Sequence, residues 1–242
     1  MGIRHITEAN VRIALTDRHD GTSAPPYAEL NLSCQVGDDP STVQANRDWV
    51  AKQLGLDPRC VVYMKQVHGN AIVVVRGPRQ QPVRGVDGLV TNVPGLALAV
   101  LAADCLPVLL ADSAAGVIGV AHAGRGGLLA GVAPAVVTRM LSLGARADRI
   151  RVVLGPVACG RCYEVPLTTR ESVAAIVPAA RAVTRQATPS LDIAAGVVSQ
   201  LERSGVSLTE WPPCCTMESD AYFSYRRDGP RTGRCAGYVW ID

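Results

Sequence analysis

Residues 96–121 read LALAVLAADCLPVLLADSAAGVIGVA, a nearly continuous apolar segment in the middle of the chain. Residues 96–110 are apolar at consecutive positions, a pattern typical of a strand with both faces buried. Residues 116–121 repeat this pattern before a glycine cluster. We therefore predict central strands inside a layered sheet, with an interruption at Asp104 and Cys105.

Shorter patterns on both sides of this segment alternate between strand and helix. Strands are predicted where β-branched or alternating apolar residues recur, at residues 3–15 (a pair), 61–67, 71–75 and 150–154. Helices are predicted where apolar residues recur at helical spacing, from Pro40 to near Gly55 and at residues 128–143, 169–177 and 191–204. No linker rich in Pro, Gly or Ser and no short repeat divides the chain, so we predict one α/β domain over residues 1–242.

The composition excludes several classes of protein. Hydrophobic residues make up 48% and charged residues 19% of the 242 residues, ordinary globular proportions that argue against wholesale disorder. The net charge of +3 is spread along the chain without a basic tail, so nucleic acid is not an expected partner. Asp104 interrupts and Asp112 closes the apolar runs, which are too short to cross a membrane. Because the N-terminus carries no apolar leader, we expect a cytoplasmic protein.

The chain contains eight cysteines, an even number. Without a leader, reduced thiols or metal ligands are expected rather than a disulfide framework. Cys159 and Cys162 form a C-x-x-C pair, and Cys214 and Cys215 are adjacent, which could indicate a structural zinc site. Adjacent cysteines seldom have the geometry of a zinc knuckle, so ordinary reduced thiols remain the competing interpretation.

Two of the four histidines occupy positions typical of reactive groups. His68 and His122 each end an apolar run and precede a glycine, whereas His5 and His19 are expected on the surface. Together with Cys105, His68 and His122 could form a three-ligand zinc site with an open fourth position for water. The spacing of these residues matches no metal-binding pattern, so a buried structural cysteine and hydrogen-bonded histidines remain the alternative.

A set of short sequence words along the chain is more specific than any residue alone. In order, they are KQVHG at 65–69, VDGLVT at 86–91, ADCLPV at 103–108, HAG at 122–124, GP at 155–156, YEV at 163–165, CT at 215–216 and FSYRRDG at 223–229. From about residue 16 to residue 240 the chain resembles the YfiH-like laccase-domain family. Members of that family were once called multicopper polyphenol oxidases and are now regarded as purine nucleoside phosphorylases with adenosine deaminase activity.

The resemblance implies a fold, a metal site and a reaction. The fold is a layered sandwich of packed mixed β-sheets flanked by helices. His68, Cys105 and His122 match the family's ligands for one zinc ion. The expected partners are purine nucleosides (adenosine, inosine and methylthioadenosine) and inorganic phosphate, and the expected reactions are phosphorolysis and hydrolytic deamination of adenosine. The chain departs from the family after HAG, where Arg125 and Gly126 stand in place of Trp and Arg.

Other residues within these short motifs are candidates for catalysis or for binding the substrate. Asp104 is expected either to carry protons as a catalytic residue or to cap a turn and orient a ligand. Arg226 and Arg227, with Arg234 beyond them, are candidates for binding phosphate, with solvated surface charge as the alternative. Gln66 is expected to contact the substrate or to brace the site.

Three other functions compete with this hypothesis. A copper-dependent phenol oxidase of the multicopper kind needs a mononuclear centre and a separate multi-histidine cluster, which four histidines cannot furnish, although copper at the three predicted ligands could give weak phenol oxidation. A metal-free cysteine hydrolase would use Cys105 as nucleophile with His122 or His68 as base. A non-catalytic binding protein would turn over no nucleoside.

Overall fold

The computed structural model describes residues 2–207 and 214–242. Met1 and residues 208–213, which the predicted domain over 1–242 includes, lie outside the described residues. The strands in chain order are β1 (Ile3–Glu8), β2 (Val11–Thr16), β3 (Val61–Val62), β4 (Met64–Lys65), β5 (Ile72–Val74), β6 (Val83–Arg84), β7 (Gly88–Thr91), β8 (Ala97–Ala102), β9 (Leu106–Asp112), β10 (Val117–Ala123), β11 (Arg151–Leu154), β12 (Arg181–Val183), β13 (Pro189–Leu191) and β14 (Cys235–Ile241). The helices are α1 (Pro40–Gln53), α2 (Arg125–Ala130), α3 (Val132–Leu141), α4 (Leu167–Ile176), α5 (Ile193–Arg203) and α6 (Tyr225–Asp228). Single 3₁₀ turns lie at Pro58–Cys60, Ala147–Arg149 and Pro178–Ala180.

Two five-stranded sheets form the centre of the fold. The first sheet has the order β1-β2-β14-β8-β3, and the second has the order β11-β9-β10-β7-β5. Most neighbouring strands are antiparallel, but β3 pairs with β8 and β5 with β7 in parallel. The predicted fold class, α/β with packed mixed sheets flanked by helices, is confirmed.

Each central strand is buried on both faces because helices cover the outer face of each sheet. In β8, Leu98 and Val100 face the second sheet, whereas Ala97 and Ala99 pack in the layer that contains α1. On the far face of the second sheet, α3 packs against β10, β7 and β5, and buried residues of α4 and α5 belong to the same hydrophobic cluster. The four layers explain why these strands are apolar at consecutive positions although their neighbours are antiparallel.

The long apolar segment is two strands in different sheets. Strand β8 ends in the first sheet at Ala102, and β9 starts in the second sheet at Leu106. The three residues between them, which we call the crossover, contain Asp104 with a positive φ of 81°. The predicted interruption at Asp104 and Cys105 is therefore the point where the chain changes sheets.

Two predicted elements are shorter in the structure. The helix predicted over residues 128–143 is divided into α2 and α3 by Gly131, which adopts a left-handed conformation with φ 73°. The strand predicted over residues 61–67 is reduced to β3 and β4, because β3 pairs with the edge of the first sheet and β4 with the separate strand β6. No helix in the described ranges has the length and apolar character needed to cross a bilayer.

Two glycines let α3 approach the second sheet closely. A Cβ added to Gly119 on β10 would lie 2.7 Å from Val136 Cγ1, and one added to Gly88 on β7 would lie 2.7 Å from Val136 Cγ2. Val136 is fully buried on α3, so it has no solvent-filled space into which it can move. The helix therefore rests on a flat area of two neighbouring strands.

We expect Gly119→Ala to lower the free energy of unfolding by about 1–3 kcal/mol, because the added methyl group overpacks the layer under α3. The measurement is urea denaturation followed by circular dichroism. Gly77→Ala is the matched control, since a Cβ there meets nothing within 4 Å, and its effect should stay within about 1 kcal/mol. Equal stability of the two variants would contradict the packing argument.

Candidate active site

The crossover places Cys105 beside two histidines from different parts of the chain. His68 lies in the turn after β4 with φ 62°, and His122 lies near the end of β10. One ligand atom from each of Cys105, His68 and His122 lies within 4.8 Å of the others. Cys105 Sγ is 3.8 Å from His68 Nε2, and the two imidazole rings meet edge to face with centroids 4.7 Å apart. The structure thus brings together the three residues that the sequence singled out.

A buried carboxylate, Asp87, holds both histidines. Asp87 is fully buried and accepts hydrogen bonds from the backbone N–H groups of Val67, His68 and Gly69, at 2.7–3.2 Å. His122 Nδ1 donates to Asp87 Oδ1 at 2.8 Å. This bond commits Nδ1 of His122 to Asp87 and leaves Nε2 for the site.

The electrostatics of the site favour an ionised thiol. Burial alone would raise the pKa of Cys105, but the charge and hydrogen bonds of His122 and His68 lower it to about 6. Burial acts to lower the pKa of His122, but the Cys105 thiolate and Asp87 raise it to about 9. Cys105 is therefore in the thiolate form near neutral pH, the form that binds a metal ion or attacks a substrate.

Glycines after His122 allow this close packing. A Cβ at Gly124 would lie 2.8 Å from His68 Cδ2 and 2.9 Å from Cys105 Sγ. A Cβ at Gly126 would lie 2.6 Å from the backbone oxygen of His68. The His68 turn therefore packs directly against the start of α2.

The donor set fits a divalent metal ion with an open position. Two imidazoles and one thiolate are the ligand types that zinc prefers, and catalytic zinc sites use three protein ligands and leave the fourth position free. Asp87 supplies the carboxylate partner that metal-binding histidines ordinarily have. Copper accepts the same ligands, so the donor set indicates a metal without separating zinc from copper.

The three residues open into a cavity of about 520 Å³ with a strongly basic wall. Its arginines come from α1, the start of α2, α6 and the segment before β14: Arg47, Arg125, Arg226 and Arg234. Among the described residues that line the cavity, Asp104 carries the one carboxylate. A cavity with this balance favours an anionic ligand.

Asp104 uses both carboxylate oxygens on neighbouring segments. Thr216 Oγ1 donates to Oδ1 at 2.6 Å, and the backbone N–H of Arg226 donates to Oδ2 at 2.6 Å. Asp104 thereby joins the crossover to the segment around Thr216 and to α6. Both carboxylate oxygens of Asp104 are therefore engaged in hydrogen bonds between segments.

The two neighbouring arginines of α6 have different surroundings. The Arg226 guanidinium lies over the ring of Tyr163, 4.6 Å from its centroid, at the cavity wall. Among the described residues, Arg227 is not part of the cavity lining. Its guanidinium donates to the backbone oxygens of Thr216, Ser219 and Tyr222 and pairs with Asp228.

Gln66 and Arg234 also line the cavity, and both are engaged with backbone. Gln66 Nε2 donates to the Leu101 oxygen at 2.8 Å, and the Leu101 N–H donates to Gln66 Oε1 at 2.9 Å, so Gln66 braces the end of β8. Arg234 donates to the oxygens of Thr232 and Gly233, and burial lowers the pKa of its guanidinium.

Sequence reasoning missed the roles of Asp87 and Arg47. Asp87 stands alone between Val86 and Gly88 in an apolar run, and an isolated acid in such a run is a signal of a buried, hydrogen-bonded carboxylate. Arg47 carries no comparable signal, because only the packing of α1 on the first sheet brings it to the cavity.

Comparisons with known proteins agree with this architecture. Residues 12–242 match the family described as multi-copper polyphenol oxidoreductase laccase. The chain is 56% identical over 237 residues to a purine nucleoside phosphorylase of Streptomyces coelicolor, covering 98% of both chains, and 54% identical over 235 residues to a purine nucleoside phosphorylase of Streptomyces griseus, covering 96% and 95%. The crystal structure of the Bacillus licheniformis hypothetical protein YfiH superposes with a TM-score of 0.89 at 27% identity, covering 100% of this chain and 97% of the other.

We expect Asp87→Asn to weaken zinc binding at the three-residue site by about 10- to 100-fold, because the NH2 group that replaces one carboxylate oxygen cannot accept the N–H bonds that this oxygen accepts. Competition with a chromogenic chelator measures this affinity. Asp112→Asn is the matched control: Asp112 is also fully buried and accepts backbone N–H bonds from Ala115 and Arg146, but it does not line the cavity. Unchanged zinc affinity in Asp87→Asn, or an equal loss in Asp112→Asn, would show that Asp87 does not position the ligands.

Proposed function

This chain belongs to the multi-copper polyphenol oxidoreductase laccase family, and from that membership we propose that it is a zinc-dependent purine nucleoside phosphorylase. The observation that carries the proposal is the opening of a two-histidine, one-thiolate ligand set into a cavity lined by four arginines. The close relatives named purine nucleoside phosphorylase support the same class of reaction.

The arrangement of histidines argues against multicopper oxidation. His5 lies on exposed strand β1 and His19 in an exposed loop, whereas His68 and His122 share the site with Cys105. Within residues 2–207 and 214–242, no second cluster of histidines exists that could hold further copper ions. Copper bound at the three ligands in place of zinc would leave at most a weak phenol oxidase.

Phosphorolysis replaces the bond between ribose C1′ and the purine nitrogen with a bond between C1′ and a phosphate oxygen. In this proposal Arg226 and Arg234, which line the cavity, bind the phosphate dianion, and Arg47 and Arg125 add positive charge. Tyr225 lines the cavity and is 48% exposed, so in this proposal its ring stacks on the purine. Bound phosphate also counters the positive charge that develops on the ribose as the base leaves.

His68, Cys105 and His122 would hold the zinc ion at one end of this cavity. When bound, zinc supplies Lewis acidity, which polarises a substrate atom or lowers the pKa of water. We extend the proposal to hydrolytic deamination of adenosine at the same site and to inosine and methylthioadenosine as substrates. Asp104 and Gln66 act as positioning residues in this scheme, because their polar atoms are bonded to neighbouring segments. Arg227, whose donors are spent on backbone oxygens, positions α6.

A metal-free cysteine hydrolase is the second candidate, favoured by the contact of Cys105 with two imidazoles. This proximity lowers the pKa of Cys105 and raises that of His122, in the direction of the thiolate and imidazolium pair that thiol hydrolases use. A chelator separates the two candidates, because it removes zinc but leaves the thiolate.

We expect the zinc-loaded protein to convert adenosine or inosine and phosphate to the free base and ribose 1-phosphate, and His122→Ala to lower turnover by at least about 100-fold, because the ion loses a buried ligand. Product analysis by chromatography with and without phosphate is the measurement, and it also shows whether adenosine yields inosine. His5→Ala, on the exposed face of β1, is the matched control. Full activity in folded His122→Ala, or in chelator-treated protein, would refute the metal mechanism.

We expect Arg226→Ala to raise the KM for phosphate about 10- to 100-fold, since it removes a charge-assisted contact worth about 1.5–3 kcal/mol. Initial rates at varied phosphate and saturating inosine give this value. Arg231→Ala removes an exposed arginine that is not among the cavity residues, and its KM should match the parent. If both variants keep the parent KM, phosphate binds elsewhere.

A further inference from the structure

A second group of metal-binding side chains lies outside the candidate active site. One ligand atom from each of Cys159, Cys162, Cys215 and Glu218 lies within 4.8 Å of the others. We call these four residues the Cys₃Glu cluster. Cys159 and Cys162 lie in the turns between β11 and α4, and Cys215 and Glu218 lie in the segment before α6. The cluster therefore joins two segments that are far apart in the chain.

We propose that the Cys₃Glu cluster binds a structural zinc ion. Structural zinc sites are closed, with four protein ligands arranged as a tetrahedron and no position left for water or substrate. Zinc–sulfur bonds of about 2.3 Å place neighbouring ligand atoms about 3.8 Å apart, so side chains already within 4.8 Å need only small movements to reach that geometry. The cluster supplies four ligands, whereas the candidate active site supplies three. This proposal does not depend on the proposed enzymatic reaction.

The backbone between Cys159 and Cys162 forms a tight turn that brings the two cysteines together. The N–H groups of Cys162 and Tyr163 both donate to the Cys159 oxygen at 2.9 Å, which bends the chain so that Cys159 and Cys162 face one point. The N–H of Cys159 points at Cys215 Sγ at 3.5 Å, a contact that stabilises a thiolate. All three cysteines are partly buried and free of disulfide bonds.

Charge around the cluster also favours a cation. Three thiolates and one carboxylate would carry four negative charges, of which a zinc ion offsets two. Arg185 lies at the edge of the cluster and pairs with Glu218 Oε1 at 2.6 Å, so it offsets a further charge. The Cys162 thiol donates a hydrogen bond to the same Glu218 oxygen, with Sγ 3.1 Å from Oε1, so these two ligand atoms are already in contact.

The ion would stiffen one wall of the active-site cavity. Tyr163, which follows Cys162, lies beneath the Arg226 guanidinium. Thr216, which follows Cys215, donates its hydroxyl hydrogen bond to Asp104 in the crossover. An ion bound by Cys162 and Cys215 would therefore fix the residues next to them, Tyr163 and Thr216. Through these residues it would help to position Arg226 and Asp104 without contacting the substrate itself.

The neighbouring Cys214 provides a control. Cys214 is exposed and is not a member of the cluster. Of the adjacent pair, only Cys215 belongs to the cluster, and Glu218 is its fourth member. The pattern of cysteines alone did not indicate Glu218.

The test is the zinc content of the purified full-length chain, measured by plasma mass spectrometry after zinc loading and gel filtration. We expect two zinc ions per chain in the parent and in Cys214→Ser, one in Cys162→Ser, one in His122→Ala, and none in the double variant Cys162→Ser/His122→Ala. We expect Glu218→Gln to bind the second ion at least about tenfold more weakly in chelator competition, because an amide is a poorer zinc ligand than a carboxylate.

Cobalt substitution keeps the proposal testable if Cys162→Ser does not fold. In His122→Ala, cobalt should report only the Cys₃Glu cluster, with strong sulfur-to-cobalt charge-transfer bands and the visible bands of a tetrahedral site. Absence of those bands, two zinc ions retained in Cys162→Ser, or a single zinc in the parent that disappears in His122→Ala would overturn the proposal. These experiments measure bound metal and not turnover of nucleosides. Failure of the structural zinc proposal is therefore distinguishable from failure of the proposed function.

Discussion

A chain that leaves one buried sheet and enters another within three residues must turn sharply while its backbone polar groups still find partners. The crossover between β8 and β9 meets this constraint with a left-handed Asp104, whose backbone oxygen accepts a hydrogen bond from the Ala158 N–H. Gln66 satisfies the Leu101 N–H and oxygen just before the turn. Cys105 is thereby held at the boundary between core and cavity, where its sulfur is poorly solvated and yet within reach of two imidazoles. The chemistry of the site follows from this position.

The sequence carried the large features of the fold because burial on both faces has a clear signature. Continuous apolar residues predicted the central strands, and the acid at position 104 marked the point where they separate. The break of the helix at Gly131 was not predicted, because a glycine inside an apolar periodic run is equally compatible with an unbroken helix. The short strands β3 and β4 depend on edge pairing between distant segments, which no local pattern records.

The candidate site divides in the same way. His68, Cys105 and His122 were singled out because each interrupts or ends an apolar run, and their convergence follows from the way β8, β9 and β10 are connected. The functions of Arg226 and Arg227 could not be separated from sequence, since the two residues are adjacent and chemically identical. Only the fold shows that Arg226 reaches the cavity, whereas the Arg227 guanidinium donates hydrogen bonds to three backbone oxygens. Glu218 escaped notice for the related reason that a lone surface acid has no distinguishing pattern.

The close approach at Gly124 has a consequence for how this gene can change over generations. Any amino acid that a single base change can substitute for glycine brings a Cβ, and here that atom would collide with both His68 and Cys105. Mutation at this codon therefore affects the ligands directly, whereas the neighbouring Arg125 has an exposed side chain and can vary without touching them. Lineages can exchange the residue after this glycine and retain the ligand set, but they have little freedom at the glycine itself.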